Sequence, residues 1–258
     1  MLTHKNITLL IGGLLVGVFI FDIFFPTPLW VYFSGISVWF LLTLFGSFII
    51  SWNYHVAAFC GNETLSEKKI AITFDDGPNP EYTPQVLQLL AKYDAKATFF
   101  CIGKNIKQHP ELVENILKEG HAIGNHSYNH SPFFGFFGKK KVVNELKQTN
   151  KVIASFTGIP NTLFRPPFGV TNPSIAKSVK QLKLQTVGWN IRSFDTVIKN
   201  PDRIIQRIRR RVSPGSVILM HDTHDRVELV LEHLLLFLKD NGYQTVLIKD
   251  LIQLEKDA

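Results

Sequence analysis

Hydrophobic positions fall into two regimes along this chain. From Asn6 to Tyr54 the apolar sequence is broken by one charge, Asp22. Stretches this long and uniform predict two membrane-spanning helices, roughly residues 7–25 and 29–51, with Pro26-Thr27-Pro28 as the turn. A cleaved signal peptide explains the first stretch less well, because no small-residue cleavage site ends it and a longer apolar run follows. Trp30, Tyr32, Trp39 and Trp52 suit anchoring at a membrane interface. From Lys68 onward the pattern becomes a regular beat. Short β-rich runs at 70–75, 97–101, 122–125, 162–165, 184–189, 217–221 and 244–248 alternate with amphipathic stretches at 83–92, 110–118, 140–156, 173–182, 201–212 and 227–240. Gly120 and Gly242 stand where helix C-caps belong. Seven strands alternating with helices predict an α/β domain, a parallel sheet closed as a barrel, with its chemistry at the C-terminal ends of the strands.

Composition changes this picture only at the edges. The 258 residues suffice for one substantial core. The 45% hydrophobic content and mean hydropathy of +0.09 reflect the front of the chain. A net charge of +7 suits a membrane-proximal surface or an acidic glycan. Two cysteines, Cys60 and Cys101, make no disulfide framework. We find no nucleic-acid motif and infer no obligate protein partner. A two-span hairpin puts both termini on one side of an inner or plasma membrane. Lys5 and Lys68-Lys69 flank it while the turn carries only Asp22, which favours a cytoplasmic side by the positive-inside tendency. An exported glycan as substrate would place the domain outside, so the side stays open.

The chemistry concentrates in two short motifs. Thr73-Phe74-Asp75-Asp76-Gly77-Pro78 sets two adjacent carboxylates at the end of an apolar strand, and His126-Ser127-Tyr128-Asn129-His130 sets two histidines at i and i+4 beyond another. Adjacent carboxylates resist joint ionisation unless a cation or hydrogen bonds offset their repulsion. One Asp with two His gives three ligands for a divalent metal and leaves positions open, as in catalytic sites. The second Asp is then free to act as a base. Arg165, Asp195 and His221 fall at or beyond the ends of later strands.

The order TFDDGP, HSYNH, RPPFG, WNIRSFDT and LMHD resembles the polysaccharide deacetylases that share the NodB homology domain, carbohydrate esterase family 4. The resemblance covers roughly residues 68–254. It implies a distorted (β/α)7 barrel and metal-dependent hydrolysis of the N-acetyl group of an amino sugar. By matching position, Asp75 is the catalytic base, Asp76, His126 and His130 hold one divalent ion, zinc or else cobalt, manganese or nickel, and Arg165 holds the base. His221 is the general acid, the backbone near Phe168 meets the oxyanion, and Leu219 helps form the acetyl pocket. Trp189 joins these in the substrate pocket. A histidine that stays protonated needs a carboxylate behind it, and Asp195 is the candidate.

Departures from the family's pattern bear on the substrate. Arg192 and Thr196 stand where the fourth motif often has Asp and Trp, and Phe168 stands where a Tyr is common. Arg192 either meets an anionic substituent or forms a structural ion pair. The segment from Ser131 to Lys141, with four phenylalanines and three lysines, either dips into a bilayer interface or packs on the barrel. Arg203, Arg207, Arg210 and Arg211 read as a solvated basic face. The boundaries expected are a hairpin over 1–51, a linker over 52–66 and the deacetylase domain over 67–258. The expected function is a membrane-anchored, metal-dependent deacetylase of amino-sugar glycans. Two other readings are a deacylase of a lipid-linked amino sugar and a catalytically silent carbohydrate-binding scaffold.

Overall fold

The computed structural model describes residues 3–256; the outermost positions of the expected hairpin and domain, 1, 2, 257 and 258, lie outside the described residues. Two helices open the chain, α1 (His4–Asp22) and α2 (Leu29–Phe48). They are followed by β1 (Ala58–Phe59), β2 (Lys69–Asp75), α3 (Thr83–Lys92), β3 (Ala97–Cys101), α4 (Gly103–Gln108), α5 (Pro110–Lys118) and β4 (Ala122–Asn125). Then come α6 (Lys139–Thr157), β5 (Leu163–Phe164), α7 (Pro173–Leu182), β6 (Gln185–Val187) and β7 (Ile191–Arg192). The chain ends with α8 (Pro201–Arg209), β8 (Val217–His221), α9 (Val227–Asp240), β9 (Gln244–Thr245) and α10 (Ile248–Lys256).

The strands form one curled parallel sheet in the order β1-β6-β5-β4-β3-β2-β8-β7, with β9 on β2. Its end strands do not pair as a ladder. An antiparallel bridge between Gly61 and Ser216 spans the seam, and Asn62 N–H donates to the Gly215 carbonyl at 2.9 Å. Gly215 sits at φ +77, and a Cβ there would lie 1.8 Å from the Asn62 carbonyl oxygen, so only glycine allows this closure. The barrel is therefore distorted at one seam. Residues expected as linker take part in its wall, through β1 and this bridge.

Alternation along each strand divides the core in two. On β2, Ile70, Ile72 and Phe74 face the outer helices, packing with Phe99, Leu90 and Leu234. Ala71 faces inward with Phe100, Val187 and Val217. Each fully buried side chain of this size contributes about 1.5–3 kcal/mol, so the outer layer carries much of the stability. The inward cluster is plugged by Ile248, Leu251 and Ile252 of α10; Ile248 was expected to end the last strand. Ile248 N–H donates to Thr98 Oγ1 at 3.1 Å. That plug fills one end of the barrel and leaves the opposite end, at the carboxyl ends of β2 and β8, for polar groups.

Helices α1 and α2 are long and apolar enough to cross a membrane, and only 11% and 6% of their apolar windows are buried. A core helix of a soluble domain would be mostly covered. The hairpin is fastened to the barrel at its base. Ile50 is 5% exposed, and a Cβ at Gly188 would lie 3.1 Å from it. Thr171 N–H donates to the Ser47 carbonyl at 2.9 Å.

Candidate active site

Register places the two acids next to His221. Asp75 ends β2 and pairs across with His221, which ends β8. Alternation turns Thr73 and Asp75 inward together, as it does Leu219 and His221. Gly77 breaks the strand where a side chain would lie 2.6 Å from the buried carboxylate of Asp222. Asp76 takes φ +73 at this corner, and its carboxylate reaches the same His126 Nε2 that Asp75 approaches.

Arg165 is the largest fully buried side chain among the described residues and organises Asp75. One guanidinium nitrogen donates to Asp75 Oδ1 at 2.8 Å and to Thr73 Oγ1 at 2.7 Å, and the other to the Gly188 carbonyl at 2.8 Å. Its plane lies over Phe100, 4.2 Å from the ring centroid, with Trp189 at 5.7 Å. Burial lowers the Arg165 pKa, but the Asp75 charge and hydrogen bond oppose that. Removing either partner would strand a buried charge at a cost of about 3–5 kcal/mol. With Oδ1 engaged, Asp75 Oδ2 remains, 3.8 Å from His126 Nε2.

Asp76, His126 and His130 converge beside it. Asp76 Oδ1 lies 3.4 Å from His126 Nε2 and 3.2 Å from His130 Nε2, and their ligand atoms all fall within 4.8 Å of one another. His126 Nδ1 hydrogen-bonds the Arg165 carbonyl at 2.8 Å, which leaves Nε2 for the cluster. Asp76 Oδ1 is buried without a hydrogen-bond partner. A buried carboxylate oxygen with two imidazole nitrogens and no donor of its own suits a divalent cation. Burial opposes charge on Asp76, but His126 and then His130 outweigh it and hold the carboxyl well below the usual range. The loop carrying the histidines is built by a residue that the spacing did not reveal: Glu145 of α6 accepts from the Tyr128 and Asn129 N–H groups at 3.0 and 2.9 Å. Ser127 and His130 both take positive φ within it.

His221 has its own support. Asp195 Oδ1 pairs with His221 Nδ1 at 2.8 Å, and Oδ2 accepts from His221 N–H at 2.8 Å. His224 also approaches, its Nε2 3.3 Å from Asp195 Oδ2, an arrangement that no spacing signal announces. Burial disfavours the charged imidazole, but Asp195, helped by Asp75 and Asp76, pushes the His221 pKa up to about 9. Asp195 stays well below the usual carboxylate range, because bonds from His221 and His224 outweigh burial.

The remaining predicted residues form the walls. The Phe168 ring lies 4.7 Å from that of His130, and its backbone holds φ +60. Trp189 packs on Gly169, where a Cβ would lie 2.5 Å from the indole. Leu219 is 2% exposed and lies on β8 between Val217 and His221 on their inward face. Arg192 lies over Phe194 at 4.9 Å and Trp189 at 5.8 Å, and no acid comes within 4 Å of it among the described residues. The structural ion pair considered for it is therefore absent there.

The model of the polysaccharide deacetylase family matches residues 62–187. A peptidoglycan-N-acetylglucosamine deacetylase of Bacillus cereus is 40% identical over 193 residues, 73% of this chain and 90% of that protein. The peptidoglycan-N-acetylmuramic acid deacetylase PdaC of Bacillus subtilis is 34% identical over 191 residues, and the chain spans only 40% of its length. The solved structure of peptidoglycan deacetylase PdaC from Bacillus subtilis superposes with a TM-score of 0.69 at 34% identity, covering 74% of this chain and 93% of that one. A CE4 family pseudoenzyme from Bacillus anthracis also superposes, at a TM-score of 0.67 and 30% identity over 72% of this chain and 66% of that one. The fold is therefore shared by active and inactive proteins, and activity depends on the residues of the site.

Proposed function

This chain belongs to the polysaccharide deacetylase family, hydrolases of amide C–N bonds, and we propose that it removes the N-acetyl group from amino sugars of a peptidoglycan-type glycan, using a divalent metal and acting from a membrane. One observation carries the reading: a base, a three-ligand cation site and a carboxylate-backed histidine converge at one barrel mouth, with no member missing.

A zinc or similar ion held by Asp76, His126 and His130 would supply a Lewis acid for the amide carbonyl and a water of lowered pKa. Asp75 takes a proton from the attacking water through Oδ2, since Arg165 occupies Oδ1. Arg165 keeps that carboxylate ionised and aimed. The backbone N–H at Phe168, whose ring lies against His130, would donate to the developing oxyanion. An amine leaves poorly unless protonated. His221, with Nδ1 tied to Asp195, turns Nε2 toward the departing nitrogen and is charged through neutral pH. Leu219 and Trp189 bound the acetyl and sugar sides. Exposed, uniformly apolar α1 and α2 support anchoring as a two-pass hairpin.

Acetate release from an N-acetylglucosamine oligomer and from intact peptidoglycan tests this. The wild type should release acetate and Asp75→Asn should not. Glycan binding without acetate release by the wild type would support the silent scaffold instead.

A further inference from the structure

A cavity of about 470 Å³ opens beside the metal cluster, and its walls come from both halves of the molecule. Leu44 and Phe48 of α2 form one side. Pro132 and Phe136, from the segment following the metal histidines, form another, and Phe168 and Val170 close it. No ionisable side chain lines it. The polar groups at its edge are already engaged: Thr171 N–H donates to the Ser47 carbonyl, and the Asn172 amide is bound to the Gly135 carbonyl and to Ile175 N–H. The volume lies in the ordinary range for a ligand site.

Three observations say what would fill it. Phe168 belongs to both places at once, its ring against His130 and its exposed half in the cavity. The cavity's α2 wall continues an apolar surface that includes exposed Phe40, Leu41 and Phe45, the surface read above as lipid-facing. Phe136 is 88% exposed and Phe133 65%, an apolar display that water penalises and a bilayer boundary accommodates. Lys139, Lys140 and Lys141 follow at once, with Lys141 Nζ 3.6 Å from the Phe137 ring centroid. Basic groups flanking an apolar tip fit anionic head groups. On the neighbouring wall, Arg192 stacks on Trp189, which packs under Gly169, so an unpaired guanidinium adjoins the same turn.

We propose that this groove between α2 and the Phe136 loop holds the hydrocarbon chain of a lipid-linked amino sugar, whose head group reaches the Asp76–His126–His130 cluster. The inference rests on the deacetylase reading and narrows its substrate class. The chain enters from the bilayer along Leu44 and Phe48, and Phe168 separates it from the reacting amide. Arg192 then faces a linking phosphate.

The test uses the full chain in lipid nanodiscs. One substrate is N-acetylglucosamine diphosphate on a long prenyl chain, the other the same head group on a methyl group; an N-acetylglucosamine oligomer is the third. Long-chain substrate should exceed short-chain substrate in kcat/KM at least tenfold, roughly the effect of burying two methylenes. Phe136→Ser should bring that ratio close to one, while Phe136→Leu should retain it. Because Phe136 is exposed, neither change should disturb folding. A ratio near one in the wild type would overturn the groove while leaving the deacetylase reading intact. A large ratio that survives Phe136→Ser would also overturn it, since partition into the bilayer alone would then suffice. Activity on none of the three substrates would take the deacetylase reading down with it.

Discussion

Two carboxylate–histidine clusters occupy the ends of adjacent strands, built from the same residue types and left in opposite states. Asp195 is fully provided for, with both oxygens hydrogen-bonded by His221, through its Nδ1 and its backbone N–H. Asp76 sits between two imidazole nitrogens, and its buried Oδ1 has no hydrogen-bond partner. The difference lies in what orients each histidine. His221 turns its Nδ1 to its own carboxylate, whereas His126 gives Nδ1 to the Arg165 carbonyl and offers Nε2 to the cluster. One cluster holds an imidazole against its carboxylate; the other leaves a carboxylate oxygen and two imidazole nitrogens facing one another.

The largest effect should come from the cation cluster. Asp76→Ala should abolish stoichiometric metal binding and lower kcat/KM on the order of a thousandfold or more, as expected when a Lewis acid contributing several kcal/mol is lost. Metal analysis alongside kinetics checks both halves. Next comes the base that stands between the clusters. Asp75→Asn should cost on the order of a hundredfold or more while metal content stays at one per chain. Loss of metal in that variant would merge the two acids into one role.

The Asp195–His221 cluster should respond differently. His221→Ala should lose less rate on substrates whose leaving amine is less basic; equal losses on good and poor leaving groups would remove His221 from the proton donor's role. Asp195→Asn gives the smallest effect near neutrality and a distinctive one in alkali. The wild-type rate should fall as pH rises through about 9, where His221 deprotonates. Without the carboxylate that limb should move down by a unit or more, toward the ordinary histidine value of about 6.5. Stability follows the same sign. Because the folded pKa is raised, the contact stabilises fully below about pH 6.5 and is lost as pH climbs through 9. A melting-temperature profile of wild type and Asp195→Asn should converge above that point.

How legible was this in the sequence? The motif clusters after β2, β4 and β8 were, because each sits where a short apolar run stops abruptly at polar residues. Long helices such as α6 and α9 showed clear periodicity. What escaped was short or distant. β1 and β7 are two residues each, too brief to carry alternation, and their pairing with β6 and β8 is set by the barrel's curvature. The last strand stops at Thr245, and Ile248, expected to end it, instead opens α10, where it is buried in the barrel end. Glu145 and His224 act through space on loops far from them in sequence, and neither has a spacing that marks it. The phenylalanine segment divides between its two readings: Phe134 is fully buried and Phe136 almost fully exposed.

The contrast between the clusters stands or falls on the cation. Purified full-length protein, stripped with chelator and titrated with zinc, should bind one ion per chain and regain acetate release in proportion to occupancy. Asp76→Ala should do neither, whereas Asp195→Asn should still bind one. Full activity in protein shown by elemental analysis to hold no metal would contradict the account.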